Sequence, residues 1–360
     1  MATIVSDVAQ REPLAERRDV RALTPEELTA WFTQQGEQKF RRKQLEQWLW
    51  QRGATSFAEM TNLGKGLRAK LERDFAILSL REEMRQTSED GTVKVRYRLH
   101  DGHAIESVLI PVPRDDRYTV CVSSQVGCSL TCSFCATGKM KRLRNLTGAE
   151  IYDQVRLVNT ICEAQYGRPL TNVVYMGMGE PLLAYSSVMR SVELITSPEG
   201  LGMSPRRLTI STAGIAKAIR RLADDASKVN LALSLHAATE EKRSAIMPIN
   251  DSNSLESLME ALEYYYKVTQ NRLSYEYIAL RDFNDTEEDA HALANLCRRF
   301  PVRVNIIEYN PVEGDDFAKS DPQVIDRFAR VLRERGVMVT VRRSRGKDID
   351  AACGQLANKG

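Results

Sequence analysis

The chain has no run of apolar residues long enough to cross a membrane. Its opening stretch, Met1 to Arg21, carries Arg11, Glu12, Glu16, Arg17, Arg18 and Asp19 where a signal peptide would need an apolar core, so it is expected to be a disordered leader in the cytoplasm (1–22) and not an anchor. Charge of one sign is also missing: 51 Lys and Arg against 48 Asp and Glu leave +3, too little for overall charge to announce a nucleic-acid binder. Histidine is scarce at four, and His100, His103 and His291 fall in no motif. Seven cysteines, an odd number with no export signal, argue against a disulfide scaffold and for a reducing compartment. What remains is an ordinary globular composition, 42% hydrophobic and 28% charged, in 360 residues, enough for two or three domains with a buried core.

Against that background Cys128, Cys132 and Cys135 stand out, spaced C-x3-C-x2-C on one short stretch. At this cysteine frequency a chance occurrence is expected on the order of 0.003 times. Three thiolates leave a four-coordinate zinc one ligand short, and Cys121 is the nearest residue to complete it. A 4Fe-4S cube held by three cysteines instead keeps one iron open for a substrate. A disulfide is the remaining reading.

Thr24-Pro25-Glu26-Glu27 is a capping box with proline at the first helical position, and Leu28, Trp31 and Phe32 follow at helical spacing. Phe40 to Arg52, a segment capped at Ser56-Phe57-Ala58-Glu59 and Leu63 to Phe75 complete a small helical domain, 23–76. Its other face carries Lys39, Arg41, Arg42, Lys43, Arg52, Lys65, Arg68 and Lys70, a solvated surface or a grip on RNA phosphates. From Thr92 the period becomes two, and Asp101-Gly102 turns the chain back through Ile105 to Val112: a β-hairpin within a linker, 77–117. A strand from Tyr118 to Ser123 leads into the cysteines.

Beyond them, helical patterns alternate with strands at Asn172 to Met176, Arg207 to Thr212, Val229 to Leu235, Ser274 to Leu280, Val302 to Glu308 and Val337 to Arg342. Such alternation implies parallel strands with helices outside, here over 118–342, and places functional groups at one rim. Periodicity alone does not separate a barrel from a doubly wound sheet. The strand ends carry Met176-Gly177-Met178-Gly179-Glu180-Pro181, then Ser211, then Ser234-Leu235-His236, then Asn310. Each alone reads as a turn, a cap or a loop hydrogen bond; their shared position singles them out. The segment 343–360 sets a lone Cys353 among small residues, after Arg342, Arg343, Arg345 and Lys347. Cys162 and Cys297 lie in helical patterns and read as small core residues.

C-x3-C-x2-C followed by Ala136-Thr137-Gly138 resembles the radical S-adenosylmethionine superfamily. With Phe40-Arg41-Arg42-Lys43-Gln44, Glu59-Met60-Thr61-Asn62-Leu63, the Gly177–Leu183 stretch, Met247-Pro248-Ile249-Asn250 and the tail, the chain is similar to the RlmN family of RNA adenine methyltransferases over nearly all its length from about residue 24. The resemblance implies an open (β/α)6 barrel and one 4Fe-4S cluster on Cys128, Cys132 and Cys135, shielded by Phe134. S-adenosylmethionine would be bound by Gly179, Glu180, Ser211, Ser234, Leu235, His236 and Asn310, two molecules being used per turnover. One would methylate Cys353; the second would yield a 5'-deoxyadenosyl radical that takes hydrogen from the S-methyl group. The methylene radical would add to carbon 2 of adenine, Glu106 would accept the ring proton, and Cys121 would release the product by forming a disulfide with Cys353. Implied substrates are large-subunit (23S) ribosomal RNA and some transfer RNAs, and implied partners an electron donor such as flavodoxin, with no membrane and a monomeric chain. Lys139, Lys141, Arg142 and Arg144, with the basic run before Cys353, are expected to hold RNA phosphates. The rivals are the sister Cfr family, which methylates carbon 8 of the same base and confers antibiotic resistance, and a zinc-stapled RNA-binding module without catalysis.

Overall fold

The computed structural model describes residues 17–359. Of the expected leader, 1–16 lies outside the described residues, while Arg17 to Ala22 is folded. Asp19 bridges to Ala76, Val20 is buried, and Arg21 lies between Asp19 at 2.9 Å and Asp153 at 2.8 Å. A buried guanidinium with two carboxylates is a specific anchor, and it ties this segment to the helix Gly148–Tyr166.

Thr24 and Glu27 form the expected capping box at the start of Pro25–Gln34, and Ser56 and Glu59 form a second around a single short turn, Phe57–Glu59. The helix Phe40–Glu46 continues as a π turn over Gln47–Gln51. That turn rotates the apolar face, so Trp50 is buried where regular spacing would bury Trp48. Trp50 meets Tyr152 edge to face at 5.5 Å, joining the helical region to the rest of the molecule in one continuous apolar core.

Twelve strands follow in chain order: β1 Arg81–Thr87, β2 Val93–Arg98, β3 Ala104–Val112, β4 Arg117–Cys121, β5 Gln125–Val126, β6 Arg144–Asn145, β7 Asn172–Tyr175, β8 Leu208–Thr212, β9 Asn230–Ser234, β10 Leu273–Ala279, β11 Arg303–Glu308 and β12 Met338–Arg342. Ten form one sheet in the order β1-β2-β3-β4-β7-β8-β9-β10-β11-β12, and β5 pairs with β6 apart from it. From β4 to β12 every neighbour is parallel, giving six strand–helix units and a closing strand. The hairpin β2–β3 is present, but it is no isolated linker: β3 pairs antiparallel with β4 and extends the same sheet. β1, an unforeseen strand, lies on its outer edge. Among the described residues no helix is long and apolar enough to cross a membrane.

Candidate active site

The cysteine loop leaves the carboxyl end of β4 and is shaped by backbone contacts. Gly127, at φ +75°, lies where a Cβ would stand 2.2 Å from the Lys141 carbonyl, and Cys128 bridges to Lys141. Ser133 N–H donates to the Ile246 carbonyl at 3.1 Å, and Cys135 N–H to that of Cys132 at 3.2 Å. The three cysteines are half-buried against an apolar group that includes Leu130, Phe134, Ile246, Met247 and Tyr309. Phe134 meets the His236 ring edge to face at 4.8 Å. Burial pushes all three thiols above their ordinary pKa.

The strand ends form a shelf beside this loop. Gly179, at φ +95°, has Gln125 where its Cβ would be, so the turn itself demands glycine there. Its successor Glu180 is 3% exposed, accepts from Leu182 N–H at 2.9 Å and Ala213 N–H at 2.7 Å, and has no ion pair among the described residues. Burial raises its pKa against those backbone bonds, and its charge is felt at Cys128 and Cys132. Ser211 and Ser234 approach to 3.3 Å between neighbouring hydroxyls. Leu235 is fully buried, and its N–H donates to the Glu276 carbonyl. His236 has φ +59°; its Nδ1 accepts from Ile278 N–H at 3.1 Å, which leaves the proton on Nε2, and burial followed by nearby Arg243 lowers its pKa to about 3. Asn310 is buried and donates to the carbonyls of Glu308 and, at 3.4 Å, Cys353.

Arg243, absent from the sequence reading, holds the shelf together. Fully buried, it donates to the carbonyls of Leu235, Ala213 and Ser234 and to Asn250 Oδ1 at 2.7 Å. Desolvation lowers its pKa to about 10, which leaves it charged at neutral pH. In sequence it reads as one more cation on a polar helix; nothing in its spacing reveals that it points inward.

The tail crosses the mouth of the sheet. Before Cys353, Arg343 and Lys347, with Lys319, meet the buried Glu308; burial alone would raise that carboxyl, but the three cations hold it at about 2. After Cys353, Glu106 Oε2 accepts from the N–H groups of Ala357 at 3.0 Å and Asn358 at 3.1 Å. Glu106 is 1% exposed; its other oxygen has no hydrogen bond and lies 3.6 Å from Lys94 Nζ. Ala136 N–H donates to the Gly354 carbonyl at 2.7 Å and Thr137 Oγ1 to that of Leu356 at 2.6 Å, which pins Cys353 beside the cysteine loop. Cys353 is accessible to solvent yet recessed: desolvation raises its thiol pKa, and Arg342, Glu276 and Cys135 all act on it. The buried Cys121 has Cys353, and none of the three loop cysteines, among the charges acting on it. Both are free thiols in the structure, with no disulfide between them. Cys162 is fully buried and Cys297 half-buried, in keeping with core roles.

Besides Arg343 and Lys347, two more of the cations expected to hold RNA phosphates are engaged within the protein. Arg144 is bound to Glu150 at 2.8 Å and to Asp101, and Arg345 donates to the Pro111 carbonyl at 2.7 Å. These bonds fix the start of Gly148–Tyr166 and the path of the tail. Lys141 and Arg142 remain exposed beside the loop.

The donor set fits the implied cofactors. Among the described residues no three His, Cys, Asp or Glu side chains converge on one ion; a cube offers separate irons to separate thiolates and needs no such convergence. A buried carboxylate without a cation suits an ammonium group, and the neighbouring hydroxyls, the Asn310 amide and the neutral imidazole suit a polar, neutral ligand. Cys121 is the buried last residue of β4, held in the sheet opposite Val108 and Val174.

Comparison with known proteins agrees with this reading. Residues 19–77 match the family described as the ribosomal RNA large subunit methyltransferase N-terminal domain, and residues 122–294 match the radical SAM superfamily. A probable dual-specificity RNA methyltransferase RlmN from Christiangramia forsetii is 53% identical over 95% of this chain and 97% of its own. A dual-specificity RNA methyltransferase RlmN from Geobacter sulfurreducens is 44% identical over 95% and 92%. A radical SAM methyltransferase from Sphaerobacter thermophilus, known from its crystal structure, superposes with a TM-score of 0.89 at 40% identity, covering 95% of this chain and all of that one. With cysteine loop, shelf and tail set in one fold, and relatives matching from end to end, the chain belongs to the RlmN family of radical SAM RNA methyltransferases.

Proposed function

We propose that this enzyme methylates carbon 2 of an adenine in large-subunit ribosomal RNA and in transfer RNA, with Cys353 carrying the methyl carbon to the base. The observation that carries the reading is the path of the tail, which sets Cys353 beside the cysteine loop through Ala136 N–H to the Gly354 carbonyl and Thr137 Oγ1 to that of Leu356, and which Glu106 and Glu308 also hold in place. Carbon 2 of adenine is not a nucleophile, so direct attack on a methyl sulfonium is closed to it. When bound, the cluster on Cys128, Cys132 and Cys135 and S-adenosylmethionine, two molecules per turnover, supply the methyl group and the radical chemistry that this carbon requires.

The protein's own residues then have distinct tasks. Glu180 receives the amino group of the cofactor and Ser211, Ser234, Leu235, His236 and Asn310 line the rest of its site, with Gly179 setting the turn. Cys353 accepts the methyl group on sulfur and, once the methylene carbon is joined to the ring, tethers RNA to protein. Glu106 takes the proton from carbon 2, and the one electron that the radical adduct must also lose for the ring to regain aromaticity is left to the cluster, when bound. Cys121 attacks the Cys353 sulfur; the S–S bond forms, the C–S pair leaves with the methylene carbon, and protonation of that carbon gives the methyl product.

The helical region 23–76 serves as an RNA-binding accessory domain, 118–342 as the catalytic core and 343–360 as the methyl-carrying tail. A cytoplasmic monomer served by a flavodoxin-like donor completes the reading. Anaerobic reconstitution with reductant, S-adenosylmethionine and unmodified RNA, followed by nucleoside mass spectrometry, is the test. 2-Methyladenosine, lost in Cys353→Ala, supports it, and 8-methyladenosine would reassign the target atom.

A further inference from the structure

A cavity lies at the rim opposite the cysteines. About 500 Å³ in volume, it is bounded by Arg206, Arg272 and Arg303, with Asn230, Gln270 and Asn271 between them. A second cavity, of about 370 Å³, shares Pro301, Val302 and Met338 with it and adds Arg298 and Arg335. No Asp or Glu lines either one. All five arginines are exposed, and none of their side chains has a hydrogen bond or ion pair among the described residues. Nearby carboxylates are engaged elsewhere: Glu256 and Glu263 with Arg299, and Glu334 with Arg330.

The placement follows from the fold. Asn230, Leu273, Arg303 and Met338 are the first residues of β9 to β12, and Arg206 lies in the short turn Pro205–Arg207 that leads into β8. Neighbouring strands are roughly 4.8 Å apart, so the row from Arg206 to Arg303 covers about 15 Å, enough to follow several phosphates. The loop that delivers Arg206 also touches the helical domain, where Gln51 Nε2 donates to the Pro198 carbonyl at 3.2 Å. The arginine row therefore continues from a region that resembles a ribosomal RNA methyltransferase N-terminal domain. Guanidinium forks and side-chain amides are the donors that phosphodiester oxygens take. An acidic electron carrier fits poorly, because strands of five to seven residues at roughly 3.3 Å each put this rim about 20 Å from the cluster loop.

We infer that this groove is an exosite for the RNA backbone, holding phosphates of the substrate at a distance from the target adenine while the opposite rim performs the chemistry. The inference rests on the RNA reading above. The test compares the full, cluster-loaded chain with Arg272→Glu/Arg303→Glu, using a transfer RNA transcript and a short hairpin that carries the target adenine. The expected result is a tenfold or greater loss of transcript affinity and a salt slope shallower by roughly 1.5, as two lost phosphate contacts require. KM for the transcript rises, kcat at saturation stays, and the hairpin is bound and methylated as by the unaltered enzyme, which also shows that the variant folds. Arg272→Gln/Arg303→Gln should fall between. Unchanged transcript affinity and salt slope would overturn the exosite, as would equal losses for both RNAs, or slower reduction by an acidic donor with RNA binding intact. If the unaltered enzyme binds the transcript yet methylates neither RNA, it is the proposed reaction that fails, and the binding comparison still decides the exosite.

Discussion

At the carboxyl ends of the parallel strands Arg144, Arg343 and Lys347 are bound to Glu150 and Glu308, and Arg243 is sunk among carbonyls; at the amino ends Arg206, Arg272 and Arg303 face a cavity with no acid in its wall. The first group of cations fixes its own rim's backbone, and those that line the cavity are left uncommitted. Closeness to the chemistry is thus a poor guide to which basic residues are available to a polyanion. Where an enzyme must hold a thiol, a carboxylate and a tail in register, nearby charges are consumed as structure, and attraction at long range falls to charges that have no such duty.

Substitutions separate the two rims by the kind of loss they cause. The largest effect is expected from Cys353→Ala, with complete loss of methylated nucleoside while the iron-sulfur absorption persists; Cys128→Ala should lose both, and the two together show whether cluster and methyl carrier are independent. Next is Glu106. Gln at this position still accepts from Ala357 and Asn358 but cannot take a proton, so a fall of about 10²–10⁴ in kcat is expected with the tail protected from proteolysis as before. If Glu106→Gln instead frees the tail and Glu106→Ala is no worse, the carboxylate is a clamp alone.

Arg243→Met should cost about 3 kcal/mol or more in chemical unfolding, since several buried carbonyls lose their donor at once. A change under 1 kcal/mol would show the shelf to be held by other bonds, with that figure on the scale of a single hydrogen bond at about 1 kcal/mol. The smallest effect is titration of Glu308. Its folded pKa is near 2 against 4.5 for the free group, so its contribution is complete above 4.5 and is lost as pH falls toward 2. Tail release should follow that fall, and Glu308→Gln should flatten this part of the profile of Tm against pH.

Much of this was legible in the residues, and what was not has physical reasons. The strand–helix alternation from Tyr118 onward announces itself because buried parallel strands need apolar runs, and capping boxes at Thr24 and Ser56 need only local chemistry. β1 escaped notice because Arg-Glu-Glu-Met-Arg-Gln-Thr is an exposed edge strand with no apolar alternation, held by its ladder to β2. That the hairpin β2–β3 also joins the main sheet was not legible, because pairing with β4 is a long-range contact that periodicity cannot express. The cysteine triad was readable since its ligands are local. The partners of Glu308, Glu106 and Arg243 come from 35, 251 and 30 positions away, and no spacing rule covers such distances.

The path of the tail has a consequence for the whole sheet, whose strands never close into a ring. β12 and β1 are its two free edges, and it is residues 344–358 that run back from one side to the other: Asp348 to Ser88, Gly346 to Asp90, Arg345 to Pro111, Asn358 to Ala104. The molecule is closed by lacing and not by a ladder. Each stitch joins a side chain to backbone or to another side chain, so they can be undone singly while every strand keeps its neighbours, and the segment that makes the stitches is the one that carries Cys353.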